Sequence, residues 1–338
     1  MRIVLNAAFA LALLLVSPAF AHHSPAVFDQ DSVVAFQGTV SQFSWTNPHA
    51  YIYVETQDAD GQIVEWEIET SATPILTRSG WTRDSLAIGS QVAIRANPDK
   101  NDQRKHALLI SVSTEDGETL IPRSNFLRRD SDPETLASSS DMSGVWELSF
   151  SDFGSFYASA DQVIPTESGA AVRDWYDREL DISAAQCIPA STPRALASVY
   201  LKEIEVHEDR ILLRNELYNL ERTIYLDGRE HPENSSRTNQ GHSIGRWEDE
   251  VLIVDTTLFE AHPYSTSLPG LPSGPDKHVI ERFALSEDGT RIVIDFALED
   301  PEYLEEPFVG KVVWYYAPHL EMLGFDCDPE ISRRFTVQ

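Results

Sequence analysis

Two stretches of the chain alternate strictly between apolar and polar residues. In 49–57 (HAYIYVETQ), Ala50, Ile52 and Val54 fall on one face and His49, Tyr51, Tyr53 and Glu55 on the other. In 62–70 (QIVEWEIET), Val64, Trp66 and Ile68 are expected inward and Glu65, Glu67 and Glu69 outward. A period of two is that of a half-buried β-strand. Asp58-Ala59-Asp60-Gly61 between them reads as a hairpin turn. Upstream, 33–45 (VVAFQGTVSQFSW) is a β-branched and aromatic run whose Gly38 predicts a bulged or bent strand.

Downstream, a short helical piece around Thr73 to Ser79 ends at Gly80, and strands follow near 90–97 and 106–114. Three strands, a short helix and two strands is the order of an OB-type five-stranded barrel. Periodicity then fades, and 118–142 reads as a linker rich in Ser, Asp, Pro and charge. A second domain, 143–338, opens on the strand 143–150, with a helix predicted across Thr166 to Asp177. Hairpin pairs are predicted at 200–207 with 210–216, 243–248 with 251–257, and 278–286 with 290–298, before a last strand at 308–316. Strands in such series predict an antiparallel barrel or curved sheet. Two long loops, 227–242 and 258–277, interrupt it, and long loops on a rigid β scaffold are where function concentrates.

Composition changes this picture in two ways. The net charge of −28 repels phosphate backbones, so nucleic acid is not an expected partner. Residues 1–21 read as a signal peptide: Arg2, the apolar run Ala7 to Val16, and Ala19-Phe20-Ala21 as a cleavage site. The apolar run is too short to span a bilayer, so the mature chain, with 22–117 as its first domain, is expected to be periplasmic or secreted without stable membrane insertion. In an oxidising compartment Cys187 and Cys327 are expected as one disulfide, with two separate buried thiols as the alternative. Neither belongs to a C-x-x-C pair.

Longer strings carry two resemblances. His22-His23-Ser24, Phe28-Asp29, Gly38-Thr39-Val40, Trp45 to His49, Glu65 to Glu69 and Gly80-Trp81 resemble an uncharacterised family of secreted bacterial proteins, over roughly 22–117. Over about 140–330 the chain resembles a second uncharacterised group of exported proteins. The strings there are Asp227 to Pro232, Gly241 to Glu248, Val254-Asp255-Thr256, Glu281-Arg282-Phe283 and Asp300-Pro301. Gly144-x-Trp146 on an opening strand is also similar to lipocalin-like barrels, which implies a ligand pocket by analogy alone.

Candidate chemistry gathers in three places. Cleavage after Ala21 would free the amine and imidazole of His22 beside the imidazole of His23, groups titrating near ~8 and ~6.5 and so available to a metal at neutral pH. Nitrogen ligands in a tetragonal set suit Cu(II), with Zn(II) or Ni(II) as alternatives. The arrangement resembles the histidine brace of copper oxygenases and periplasmic copper proteins, with His49 as the distant second histidine; a His-His tail that binds metal incidentally is the plain alternative. Second, Tyr51 and Tyr53 beside the outward glutamates form either a polar binding patch or a solvated strand face. Third, His231, His242, His262 and His278 lie on or beside the long loops, with Arg229, Arg246, Asp255 and Glu281 among them. These could build a metal site or an acid/base pair, or simply hold the loops. Arg229–Glu230, Arg246–Glu248 and Glu281–Arg282 are expected as buried ion pairs fixing the barrel mouth. Gly241-His242-Ser243-Ile244-Gly245 matches G-x-S-x-G in form but precedes a strand, so Ser243 is a minor candidate.

The expectation is a mostly β, exported binding protein with Cu(II) at the N-terminal histidines and a small ligand in the second barrel. The alternatives are a hydrolase or oxidoreductase using the loop histidines, and an envelope accessory or assembly factor without catalysis.

Overall fold

The computed structural model describes residues 27–123, 136–174, 186–233 and 236–332. His22, His23 and the segment read as a signal peptide lie outside the described residues, as does most of the central part of the linker.

The first domain contains β1 (Val34–Ser44), β2 (Tyr51–Gln57), β3 (Ile63–Glu69), α1 (Thr73–Arg78), β4 (Gln91–Pro98), β5 (His106–Thr114) and the short β6 (Thr119–Leu120). The strands run in the order β3-β2-β1-β4-β5-β6, and a parallel pairing of β3 with β5 closes five of them into a barrel of OB-like order. Val40, Ile52, Val54, Ile68, Ile94, Ala107 and Val112 fill it. The bulge in β1 falls between Val40 and Gln42, and Gly38 serves another purpose. A Cβ there would stand 2.4 Å from the Glu55 carbonyl oxygen, so only glycine lets β1 pass β2 this closely.

α1 joins the core of this barrel through Leu76. Pro74 sets its first turn, and Asn47 reaches across to cap it, with Oδ1 accepting from the Thr73 N–H at 2.9 Å and the Thr73 hydroxyl at 3.1 Å. Ile75 and Leu76 are buried, each worth about 1.5–3 kcal/mol of burial. Ser79 and Gly80 end the helix, with Gly80 at φ +86°. The Asn-Pro of the Trp-Thr-Asn-Pro-His string is therefore a helix-capping device.

The second domain is a closed nine-stranded barrel. Its strands are β7 (Gly144–Leu148), β8 (Lys202–Val206), β9 (Arg210–Asn215), β10 (Leu220–Tyr225), β11 (His242–Glu248), β12 (Val251–Thr257), β13 (His278–Leu285), β14 (Arg291–Glu299) and β15 (Phe308–Tyr316). An odd number of strands cannot close with every neighbour antiparallel. The one parallel contact is β10 with β11, across the long connection 226–241. Two elements depart from the sequence expectation. β10 escapes a period-two reading because Arg222 occupies an inward position beside Ile224. Helix α2 (Phe150–Ala160) carries three Ser and a Gly, yet Ser149 caps it through the Asp152 N–H, and Phe156 packs on Phe296 and Phe308. A further helix, α3 (Glu167–Arg173), falls within the stretch predicted as helical.

Cys187 and Cys327 are joined in a disulfide across 140 residues. In the chain-entropy account a loop of that length is worth about 5 kcal/mol. The bond anchors a C-terminal strap that lies between the domains. Asp328 N–H donates to the Asn47 carbonyl at 3.1 Å, and the buried Glu216 pairs with Arg78 of α1 while accepting from Leu323 N–H at 2.8 Å.

Candidate functional site

On the first barrel, the outer face of β2 and β3 is exposed at Glu55 and Glu65 but not at the tyrosines. Tyr51 and Tyr53 do point away from Ala50, Ile52 and Val54, but they are only 3 % and 7 % exposed. Strand register explains their partners: Tyr51 is paired with Glu69, Tyr53 with Glu67, and Glu67 with His106 of β5. The Tyr53 hydroxyl donates to Glu67 at 2.7 Å. Glu69 lies between two histidines, 3.3 Å from His49 Nδ1 and 3.7 Å from His106 Nε2. His106 is buried, its Nδ1 is 3.2 Å from Asp99, and the Phe28 ring packs on it at 4.8 Å. Burial opposes charge on His106, but the hydrogen bonds to Glu69 and Asp99 and the charges of Glu69 and Glu67 outweigh it and raise its pKa above the ordinary histidine value. The sequence reading missed His106 and Asp99, because a lone histidine at a strand start carries no signal of what the register sets opposite it.

His49 is half-buried just before β2. Its Nδ1 faces two acceptors, the Thr70 carbonyl at 3.1 Å and the Glu69 carboxylate at 3.3 Å, so Nδ1 carries a hydrogen. The chain that precedes the domain arrives at the same cluster. Phe28 bridges to Asp99, and the Val27 carbonyl accepts from Lys100 N–H at 2.9 Å.

On the second barrel, alternate residues of β10 to β13 serve opposite faces. Inside, Arg222 and Glu281 form a buried ion pair. Arg222 donates to Glu281 Oε1 at 2.9 Å, to Ser243 Oγ at 2.9 Å and to Thr256 Oγ1 at 2.7 Å, and a second guanidinium nitrogen reaches Glu281 Oε2. Thr192 donates to Glu281 at 2.6 Å. Glu281 thus pairs with Arg222, not Arg282. Ser243 belongs to this interior network, so its glycine-flanked string is a strand with a polar inward position.

Outside, three of the four loop histidines come together. Asp255 Oδ1 accepts from His231 Nε2 at 3.2 Å and from His278 Nε2 at 2.9 Å. His231 and His242 face each other through Nδ1 atoms 2.9 Å apart. Tyr225 stacks on His242, and Arg229, held by Asp227, lies 3.7 Å over the Tyr225 ring. Burial first, then the charges of His231 and Arg229, lower the His242 pKa. His262 stands apart in the 258–277 loop, where its Nδ1 accepts from Tyr264 N–H at 3.2 Å. Arg246 does pair with Glu248, but on the exposed surface where a buried pair was expected. Arg229 pairs with Asp227 where Glu230 was expected.

Two buried lysines escaped the sequence reading. Lys202 donates to the Ser198 carbonyl beside the Trp314 ring, and Lys277 donates to Ser191 at 3.0 Å and to Ser267 under the Phe259 ring. Burial lowers each to about 7. The internal cavity beside Lys202, Leu213, Arg222 and Trp314 has room for on the order of one water.

One comparison bears on the first domain. Residues 11–108 match the profile of a family of unknown function, DUF6152. The match takes in the His-His-Ser start, Trp45 to His49, β1 to β4 and the first residues of β5, and stops short of the second barrel. No curated protein matches the chain. Among the described residues, no three His, Cys, Asp or Glu side chains are arranged to hold one metal ion, and no helix is long and apolar enough to cross a membrane.

Proposed function

We propose that this is an exported metal-binding protein that takes Cu(II) at its mature N-terminus, with the amine and ring of His22, the ring of His23 and Nε2 of His49 as donors. The observation that carries the reading is the contact of His49 Nδ1 with the Thr70 carbonyl. A backbone carbonyl on Nδ1 is the outer contact that metal-ligating histidines commonly have, and in a neutral ring it leaves Nε2 as the donor atom. The first described residues support it too. Phe28 packs on His106, and His106 lies against the Glu69 carboxylate that also meets His49. The disulfide fits an oxidising compartment, and the acidic surface attracts cations.

Calorimetric titration of Cu(II) into mature chain and into His49→Ala tests the assignment. Affinity should fall at least tenfold in the variant with its fold unchanged by circular dichroism. Equal affinities would leave only an unstructured His-His chelate and refute a site built with the barrel.

A further inference from the structure

Away from the histidines, the second domain carries a hollow lined by aromatic rings. Its volume is about 160 Å³ and it opens to solvent. Phe153 and Tyr157 contribute to it from successive turns of α2, with ring centroids 4.8 Å apart. Tyr200, just before β8, and Tyr218, between β9 and β10, supply two more rings, and Ile188 and Leu217 add apolar surface. These six side chains are partly exposed, whereas Phe156 of the same helix is buried.

The backbone is strained where it presents Tyr218. Tyr218 has φ +60° and Asn219 φ +50°, left-handed values that a bulky residue adopts only when its surroundings hold it there. The C-terminal strap does the holding. Phe325 N–H donates to Asn219 Oδ1 at 2.8 Å, Asn219 Nδ2 donates to the Phe325 carbonyl at 3.1 Å, and the Phe325 ring meets Tyr200 and Tyr218 edge-on. The disulfide ties this strap to Cys187, next to Ile188. The rings are thus fixed in place before any guest arrives.

Size, lining and charge together define the guest. An apolar cavity of about 150 Å³ accommodates a benzene ring. Aromatic walls favour a planar aromatic guest through offset or edge-on contacts. The hydroxyls of Tyr157 and Tyr200 have no hydrogen bond among the described residues, so a guest with one small polar group has a partner for it. Arg194 also lines the hollow, which disfavours a cation, and the net charge of −28 disfavours an anion.

We propose that this hollow binds a small neutral aromatic compound of the size and polarity of phenol, with its ring among the aromatic side chains and its polar group on a tyrosine hydroxyl. The site uses no metal and is separate from His49.

The test titrates phenol, toluene, benzoate and tetramethylammonium into the mature chain, followed by NMR. Phenol should saturate one site with a Kd of about 1 mM or tighter, within what seven non-hydrogen atoms can supply. Benzoate and tetramethylammonium should bind at least tenfold more weakly. Ala190→Phe fills the hollow and should weaken phenol at least tenfold. Tyr157→Phe/Tyr200→Phe should weaken phenol about 2–10-fold and leave toluene unchanged. No saturation by phenol at ten times the expected Kd overturns the site, as does a folded Ala190→Phe chain with unchanged affinity. Tighter binding of either ion than of phenol overturns the ligand class. Should Ala190→Phe not fold, nuclear Overhauser contacts from phenol to the Ile188 and Leu217 methyls of the unaltered chain decide. Contacts only to other methyls overturn the proposal.

Discussion

Replacing Glu281 by alanine strikes the interior of the second barrel at its most connected point. The carboxylate is fully buried and accepts from two guanidinium nitrogens of Arg222 and from the Thr192 hydroxyl. In Glu281→Ala the guanidinium stays buried with only Ser243 and Thr256 to accept from it. Removing one partner of a buried ion pair costs about 3–5 kcal/mol. For a domain of this size each kcal/mol lowers Tm by about 2–4 °C, so the barrel transition should fall by about 6–20 °C. Arg222→Met/Glu281→Leu removes both charges. The Ser243–Thr256 hydrogen bond survives it and only the Thr192 hydroxyl loses an acceptor, so most of the loss should be recovered, leaving a cost of about 1–2 kcal/mol. Differential scanning calorimetry of the oxidised chain, with urea unfolding to separate the domains, measures both. A single variant within about 1 kcal/mol of the unaltered chain would refute the reasoning. So would a double variant as unstable as the single.

Other expectations follow from titration and from the covalent link. His106 has a raised folded pKa, so its contribution to the first domain is complete below about 6.5 and is lost as pH rises through the folded value. The first-domain Tm, measured at pH 5.5 and 8, should therefore fall with a slope that His106→Gln flattens. Lys202 has the opposite sign. Its folded pKa is lowered to about 7, so the charged form is penalised in the folded state and the barrel gains stability as pH rises from about 7 toward 10.5. Lys202→Met should then raise the barrel Tm more at pH 6 than at pH 9, and an equal effect at both would contradict the assignment. Cys187→Ser should lower stability by about 5 kcal/mol in urea titrations, the value for so long a loop.

Period-two alternation located the first-barrel strands to within a few residues, because one face of each packs on Val40, Ile52 and Ile68. It also set Tyr51 and Tyr53 beside Glu67 and Glu69 on the other face. It could not show that the long-range pairing of β3 with β5 brings His106, and with it Asp99, to those glutamates. The same limit hid β10, where an inward Arg222 breaks the apolar pattern because Glu281, distant in sequence, neutralises it. The strings of the second barrel named His231, His242, His278 and Asp255 but not how they meet. Only antiparallel pairing of β12 with β13, and the fold-back of the 226–241 connection, makes Asp255 the common acceptor of His231 and His278. His262 shares the composition of that group without its position. Lys202 and Lys277 gave no signal, since a buried lysine looks in sequence like an exposed one.

The central claim is that a metal sits between the mature N-terminus and the barrel, and the most direct measurement is electron paramagnetic resonance of the Cu(II)-loaded chain. Two versions are needed, one beginning at His22 and one with a single glycine placed before it. The native start should give a nitrogen-dominated spectrum that changes on His49→Ala. The extended chain should lose that spectrum, since the amine moves off His22. Identical spectra from the native start, the extended chain and His49→Ala would contradict a site shared by the chain's first residue and the first barrel.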